Sequence, residues 1–89
     1  MYRIWEESTI FNVDNDHVNL ISSHVVGKYV NYEDASEALE KLAESKFNFS
    51  KYRTKKMISK KRIDNDEYEV TYQTRYLIKT RYFIHPKKS

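Results

Sequence analysis

Residues 68–84 read YEVTYQTRYLIKTRYFI, and this stretch decides the fold. Its even positions are mostly aromatic or β-branched, whereas its odd positions include the polar residues Glu69, Lys79 and Arg81. A period of two indicates a β-strand with one apolar face. A single strand of this length would extend about 56 Å, too long for a domain whose radius of gyration is about 12 Å. We therefore expect it to bend at a bulge near residues 73–75 or to form part of a projecting arm.

A helix is predicted over residues 31–46. Asn31 is a suitable N-cap, and Glu33 and Asp34 place negative charge in the first turn, where the helix dipole favours it. Apolar residues recur at the helical spacing, namely Ala35, Ala38, Leu39, Leu42 and Ala43. We expect this narrow stripe, with both leucines, to pack against a sheet.

The tripeptide Asp-Asn-Asp occurs twice, at residues 14–16 and 64–66. Asp and Asn favour turns because their side chains hydrogen-bond nearby backbone. Each turn is therefore predicted to close a hairpin through a four-residue loop. In the first hairpin this register pairs Val13 with Val18, Phe11 with Leu20 and Trp5 with Val26. In the second it pairs Ile63 with Tyr68, Phe49 with Tyr82 and Phe47 with Ile84.

These elements predict one α+β domain with the order ββαββ, a four-stranded antiparallel sheet of two long hairpins with one helix packed on one face. The predicted boundaries are a hairpin at residues 2–30, the helix, a hairpin at residues 47–85 and a basic tail at residues 86–89. Eighty-nine residues leave no room for a second domain. A core of this size is marginal, and without cysteines no disulfide supports it. A homodimer is therefore one expectation.

Charge is divided unevenly along the chain. Residues 1–50 hold four basic and nine acidic residues, a net charge of −5, whereas residues 51–89 hold twelve basic and four acidic residues, a net charge of +8. Such asymmetry indicates nucleic acid or an acidic protein as a partner. It is equally compatible with an acidic half that neutralises a basic half across the sheet.

The basic residues of the second half are the candidate partner-binding site. Residues 51–62 contain no acid. Lys and Arg can neutralise phosphates and release counterions, and Tyr or Phe on a sheet can stack on unpaired bases. The candidates are Lys51, Arg53, Lys55, Lys56, Lys60, Lys61, Arg62, Arg75, Lys79 and Arg81. An alternative explanation makes the tyrosines core residues and the lysines a guard against strand pairing with other chains.

We therefore expect a small binding module without enzymatic activity that engages nucleic acid or a nucleoprotein through its basic C-terminal hairpin. The alternative is a small inhibitor or adaptor that docks on a host protein by an exposed strand or arm. Eight Tyr and one Trp suit such a docking surface, and they are equally compatible with ordinary sheet residues. Lys, Asn, Ile and Tyr make up 32 of the 89 residues, which is typical of AT-rich coding and suggests a phage or mobile element of a low-GC bacterium.

No catalytic residue, metal site or cofactor is predicted. His17, His24 and His85 share no metal-ligand spacing, and the chain has no Cys. In the predicted register His24 faces Glu7, which indicates a cross-strand ion pair. A single Gly leaves no loop that could hold a phosphate.

The sequence also predicts a cytoplasmic chain with no membrane partner. No run approaches the roughly 18 consecutive apolar residues that a membrane span requires. The first residues are too acidic and too interrupted for a signal peptide.

Overall fold

The computed structural model describes residues 1–12, 17–53, 58–74 and 76–87. Within them the chain forms five strands and one helix. In chain order these are β1 (Tyr2–Asn12), β2 (His17–Tyr29), α1 (Tyr32–Arg53), β3 (Ile58–Asp64), β4 (Glu67–Gln73) and β5 (Leu77–His85). The first Asp-Asn-Asp turn lies outside the described residues.

The strands form one antiparallel sheet in the order β2-β1-β5-β4-β3, and α1 contacts every strand of it. The α+β class, the single helix and the antiparallel sheet are therefore confirmed within the described residues. The predicted number of four strands is wrong. β5 pairs with both β1 and β4, and it thereby joins the N-terminal and C-terminal strands into one sheet.

The stretch of residues 68–84 forms two strands instead of one. It reverses direction after β4, with Gln73 opposite Leu77, so the expected bend and the expected arm are both wrong. Tyr68 pairs with Tyr82 across the new hairpin. Even-numbered residues of both strands therefore share one face. The alternation of even and odd positions in the sequence is accordingly the same in β4 and β5.

The helix extends to Arg53, well past the predicted end at residue 46. Phe47 and Phe49 lie within it, so their predicted pairing with β5 is wrong. The buried stripe continues to Ser50, which is 3% exposed. Because this buried position is polar, the apolar stripe did not predict the last turns of the helix.

The start of α1 is confirmed. Asn31 Oδ1 accepts a hydrogen bond from the backbone N–H of Asp34 at 2.9 Å, which satisfies one of the free donors of the first turn. Leu39 is fully buried, whereas Leu42 is partly buried at the edge of the core. The core consists of Ile4, Ala35, Leu39, Ala43, Tyr68, Val70, Tyr82 and Ile84.

Two β-bulges shift the register of β1 against β2. Phe11 pairs with Val18, two residues from its predicted partner, and Trp5 pairs with Val25, one residue from its predicted partner. A bulge adds an unpaired residue to one strand, so no single loop length gives the whole register.

The second turn is tighter than predicted. Asp64 Oδ1 accepts a hydrogen bond from the backbone N–H of Asp66 at 2.7 Å. This local bond closes the turn early. The turn pairs Asp64 with Glu67, and a register irregularity between Arg62 and Asp64 then makes Tyr68 pair with Arg62 instead of Ile63.

Candidate functional site

One face of the sheet packs against α1, and no other described helix or strand covers the opposite face. Ile4 and Ile84 pair with each other and are buried beneath the helix. Because successive side chains point to opposite faces, odd-numbered residues of β1, β4 and β5 lie on the other side. We call this surface the open face. It includes Arg3, Trp5, Glu7, Thr9, Phe11, Ser23, Val25, Lys28, Ser59, Lys61, Glu67, Glu69, Thr71, Gln73, Leu77, Lys79, Arg81, Phe83 and His85.

Two aromatic residues, Trp5 and Phe83, lie opposite each other on the open face. They are direct cross-strand partners on β1 and β5, which are neighbouring interior strands. Both side chains are partly exposed. Aromatic rings held on a sheet with one accessible side offer flat surfaces on which another ring can stack.

Arg81 is fixed beside this pair. Its guanidinium lies 4.8 Å from the centroid of the Phe83 ring. Nε and Nη2 donate to Glu67 at 2.9 and 3.0 Å, and Nη1 donates to Glu7 at 3.0 Å. These hydrogen bonds, chiefly those to Glu67, raise the pKa of Arg81 above its ordinary value. Since a guanidinium has five N–H donors, Arg81 retains donors that can reach a ligand.

A second apolar spot lies further along the same two strands. Phe11 and Leu77 are cross-strand partners, and with Thr9 and Lys79 they line a hollow of about 350 Å³. Thr9 Oγ1 donates to the Lys79 carbonyl at 3.4 Å. The Lys79 ammonium lies 4.0 Å from Glu69 and its side chain is 47% exposed, so a cation stands at the rim of an apolar hollow.

Residues 33–44 of the helix and the open face carry opposite charge. Exposed residues between positions 33 and 44 of α1 include five carboxylates and one lysine, a net charge of −4. The open face carries five basic residues and three carboxylates, a net charge of +2. A polyanion is therefore attracted to the open face and repelled by the outer side of residues 33–44 of α1.

The structure distributes the predicted binding residues over several surfaces. Lys61, Lys79 and Arg81 come together on the open face. Lys51 is exposed on the last turns of α1, and Arg53 ends that helix. Three further candidates lie outside the described residues, namely Lys55, Lys56 and Arg75.

Lys60 and Arg62 lie on the helix side of β3, because they alternate with Lys61. The Lys60 ammonium pairs with Glu44 of α1, and this hydrogen bond raises the pKa of Lys60. Arg62 Nη2 donates to Asn65 at 3.2 Å in the adjoining turn. These two cations hold β3 to the helix and to its turn.

His24 pairs with Glu6, so the predicted partner Glu7 is wrong. The register shift at one bulge accounts for the difference of one residue. His24 Nε2 lies 3.5 Å from Glu6 Oε1, and the Tyr82 hydroxyl donates to Glu6 Oε2 at 2.5 Å. Burial, followed by the bond to Glu6, raises the pKa of Tyr82. His85 stands on the open face at the end of β5, away from this group.

A polar hollow of about 420 Å³ lies between the start of α1 and the second turn. The Tyr32 hydroxyl donates to the Asp66 carboxylate, which raises the pKa of Tyr32 from 10.0 to about 12. The Asp66 backbone N–H, followed by the Lys87 ammonium, lowers the pKa of Asp64. These contacts join the helix to the turn, so we assign the hollow a structural role.

Within the described residues, no group of three or more His, Cys, Asp and Glu could hold a metal ion. In the same part of the chain, no helix combines the length and the apolar composition that a membrane crossing requires. No family model, curated protein or solved structure matches the chain. Function is therefore inferred from the geometry of the open face.

Sequence reasoning missed Trp5 and Phe83 as site residues. Phe83 occupies one of the odd positions of residues 68–84, which are mostly polar. An aromatic residue on this solvent-facing side was the signal that could have identified it. Trp5 gave no such signal, because its face depends on the non-local pairing of β1 with β5. The tyrosines considered for stacking belong partly to the core, where Tyr68 and Tyr82 are buried under α1.

Proposed function

We propose that the protein binds single-stranded nucleic acid on the open face, with Trp5 and Phe83 stacking on bases and with Lys61, Lys79 and Arg81 contacting phosphates. The observation that carries this proposal is the paired, partly exposed aromatic rings of β1 and β5 with the Arg81 guanidinium above one of them. The three cations are the part of the predicted basic hairpin that shares a surface with these rings.

The arrangement suits a single strand because unpaired bases expose both ring faces. Stacking of one base on an aromatic side chain contributes about 1–3 kcal/mol and tolerates any base. Arg81 is already held by Glu67 and Glu7, so it loses little conformational freedom when a phosphate binds. In a duplex the base faces are occupied by stacking within the helix, so we expect duplexes to bind more weakly.

Trp5 supplies the probe for a direct test because it is the chain's only tryptophan. Single-stranded oligonucleotides are titrated into the protein at about 50 mM salt, and Trp5 fluorescence is recorded. We expect quenching as bases stack, with an affinity that falls steeply as salt increases. The Phe83→Ala variant should bind about 5-fold to 150-fold more weakly, the equivalent of one stacking contact.

The matched control is Tyr52→Ala, which removes an aromatic side chain that is 92% exposed on α1. Its binding should equal that of the wild type. If Tyr52→Ala weakens binding and Phe83→Ala does not, the ligand contacts the basic end of the helix and the open face is not the site. Absence of binding at about 50 mM salt contradicts the nucleic-acid proposal and favours the host-protein alternative.

A further inference from the structure

The hollow beside Phe11 lies on the same face as the Trp5 and Phe83 pair, at the other end of the same two strands. Trp5 and Phe11 are six positions apart on β1. At about 3.4 Å per residue they are separated by roughly 20 Å. The open face thus presents two apolar spots with a fixed separation.

The space between the two spots carries the cations of β5. Arg81 pairs with Glu7 and Lys79 pairs with Thr9, which places both between the aromatic pair and Phe11. Glu69 lies next to both cations on β4. A strand that runs from one spot to the other therefore passes its phosphates over two cations that also contact carboxylates, Arg81 with Glu7 and Glu67 and Lys79 with Glu69.

The hollow itself has the features of a site for a ring with polar edges. Its apolar lining comes from Phe11 and Leu77, and its polar groups are the Thr9 hydroxyl and the Lys79 ammonium. Ligand sites generally combine an apolar surface with a few placed polar groups. A nucleobase meets both requirements, with its ring faces on the apolar side chains and its oxygen acceptors toward Lys79.

We infer that this hollow is a second base-binding subsite, so that the open face holds two bases of one strand about 20 Å apart. This inference rests on the proposed function. At the ~3.4 Å repeat of a stacked strand the distance corresponds to about six steps between nucleotides, and to fewer when the strand is extended. Occupation of both subsites therefore requires a strand of about four to seven nucleotides.

The test is a length series of oligothymidylates from about two to about eight nucleotides, read by the quenching of Trp5. In the wild type we expect the affinity to rise in a step when the strand becomes long enough to reach the hollow. Phe11→Ala should bind the shortest strands as the wild type does, which also shows that it is folded, whereas Lys79→Ala should bind them more weakly by the loss of one phosphate contact. On the longest strands they should bind about tenfold more weakly.

Lys41→Ala is the matched control for Lys79→Ala, because Lys41 is also an exposed lysine paired with one glutamate. It should keep the step. If short strands quench Trp5 but the affinity shows no step, or if the step survives in both hollow variants, the second subsite is wrong and the first is retained. If no strand of any length quenches Trp5, both the proposed function and the subsite are wrong.

Discussion

The two faces of the sheet are formed by alternate residues of the same strands, yet their aromatic side chains have different environments. On the helix side Tyr68 and Tyr82 are 8% and 3% exposed. On the open face Trp5 and Phe83 stay partly exposed, although they also lie on interior strands. The difference is the cover that α1 provides. Aromatic content alone therefore does not distinguish the two faces of the sheet, whereas the cover by α1 does.

The two faces also differ in how their charges are held. On the helix side Lys60 reaches from the edge strand to Glu44 of the helix. On the open face Arg81 is bound by carboxylates of two neighbouring strands, Glu7 and Glu67. The first kind of pair attaches the helix to the sheet, whereas the second positions a cation beside the exposed rings. Substitutions on the two faces should accordingly affect different properties.

The largest effect is expected on the helix side. Leu39→Ala should lower the free energy of unfolding by about 2–5 kcal/mol, because it opens a cavity at a fully buried position. That is a large share of the stability of a small domain. Leu42→Ala, at a partly buried position, should cost less. Chemical denaturation measures both, and a greater loss for Leu42→Ala would contradict the placement of the stripe.

A smaller loss of folding stability is expected when the charged contacts of Arg81 on the open face are removed. Arg81→Met leaves the Glu67 side chain, which is only 12% exposed, without its two hydrogen bonds. We expect a loss of about 1–3 kcal/mol in denaturant unfolding. The control Lys79→Met removes a pair at 4.0 Å in a more exposed setting and should cost at most about 1 kcal/mol. Equal losses would show that the bonds to Glu67 add nothing.

These contrasts also explain how much of the fold the sequence could predict. The N-cap at Asn31 and the apolar stripe through Leu39 depend on residues close in the chain, and both were confirmed. The period of two identified strand structure and the buried parity in residues 68–84, but it did not separate β4 from β5. Local propensity and periodicity act over a few residues, so these features are visible in one sequence.

The rest depends on contacts between distant residues. Insertion of β5 between β1 and β4 decides that Trp5 meets Phe83, and no local signal specifies this pairing. The bulge that moved the partner of His24 from Glu7 to Glu6 likewise has no local signal in the sequence. The candidate site was therefore predicted only in part, by its cations, because its aromatic half depends on the sheet order.

Alkaline pH provides a test of the junction between α1 and the second turn. The folded protein holds the Tyr32 proton up to a pKa of about 12, whereas the ordinary pKa is 10.0. The raised pKa contributes stability that is fully present below pH 10 and is lost as the pH rises toward 12. Denaturation of Tyr32→Phe at several pH values should show a smaller alkaline loss than the wild type. An identical pH profile would mean that Tyr32 does not contribute to this stabilisation.

The smallest expected effect is a difference in the salt dependence of binding between variants of two adjacent lysines of β3. Lys61 lies on the open face and Lys60 on the helix side, where Glu44 holds it. If the open face binds single strands, Lys61→Ala should remove one phosphate contact and reduce the slope of log affinity against log salt by about 0.7. Lys60→Ala should leave that slope unchanged, although both variants lose one positive charge. A salt titration with the Trp5 signal measures both slopes. Equal reductions would mean that net charge, and not the face that carries it, governs binding, and the assignment of phosphate contacts to the open face would then be wrong.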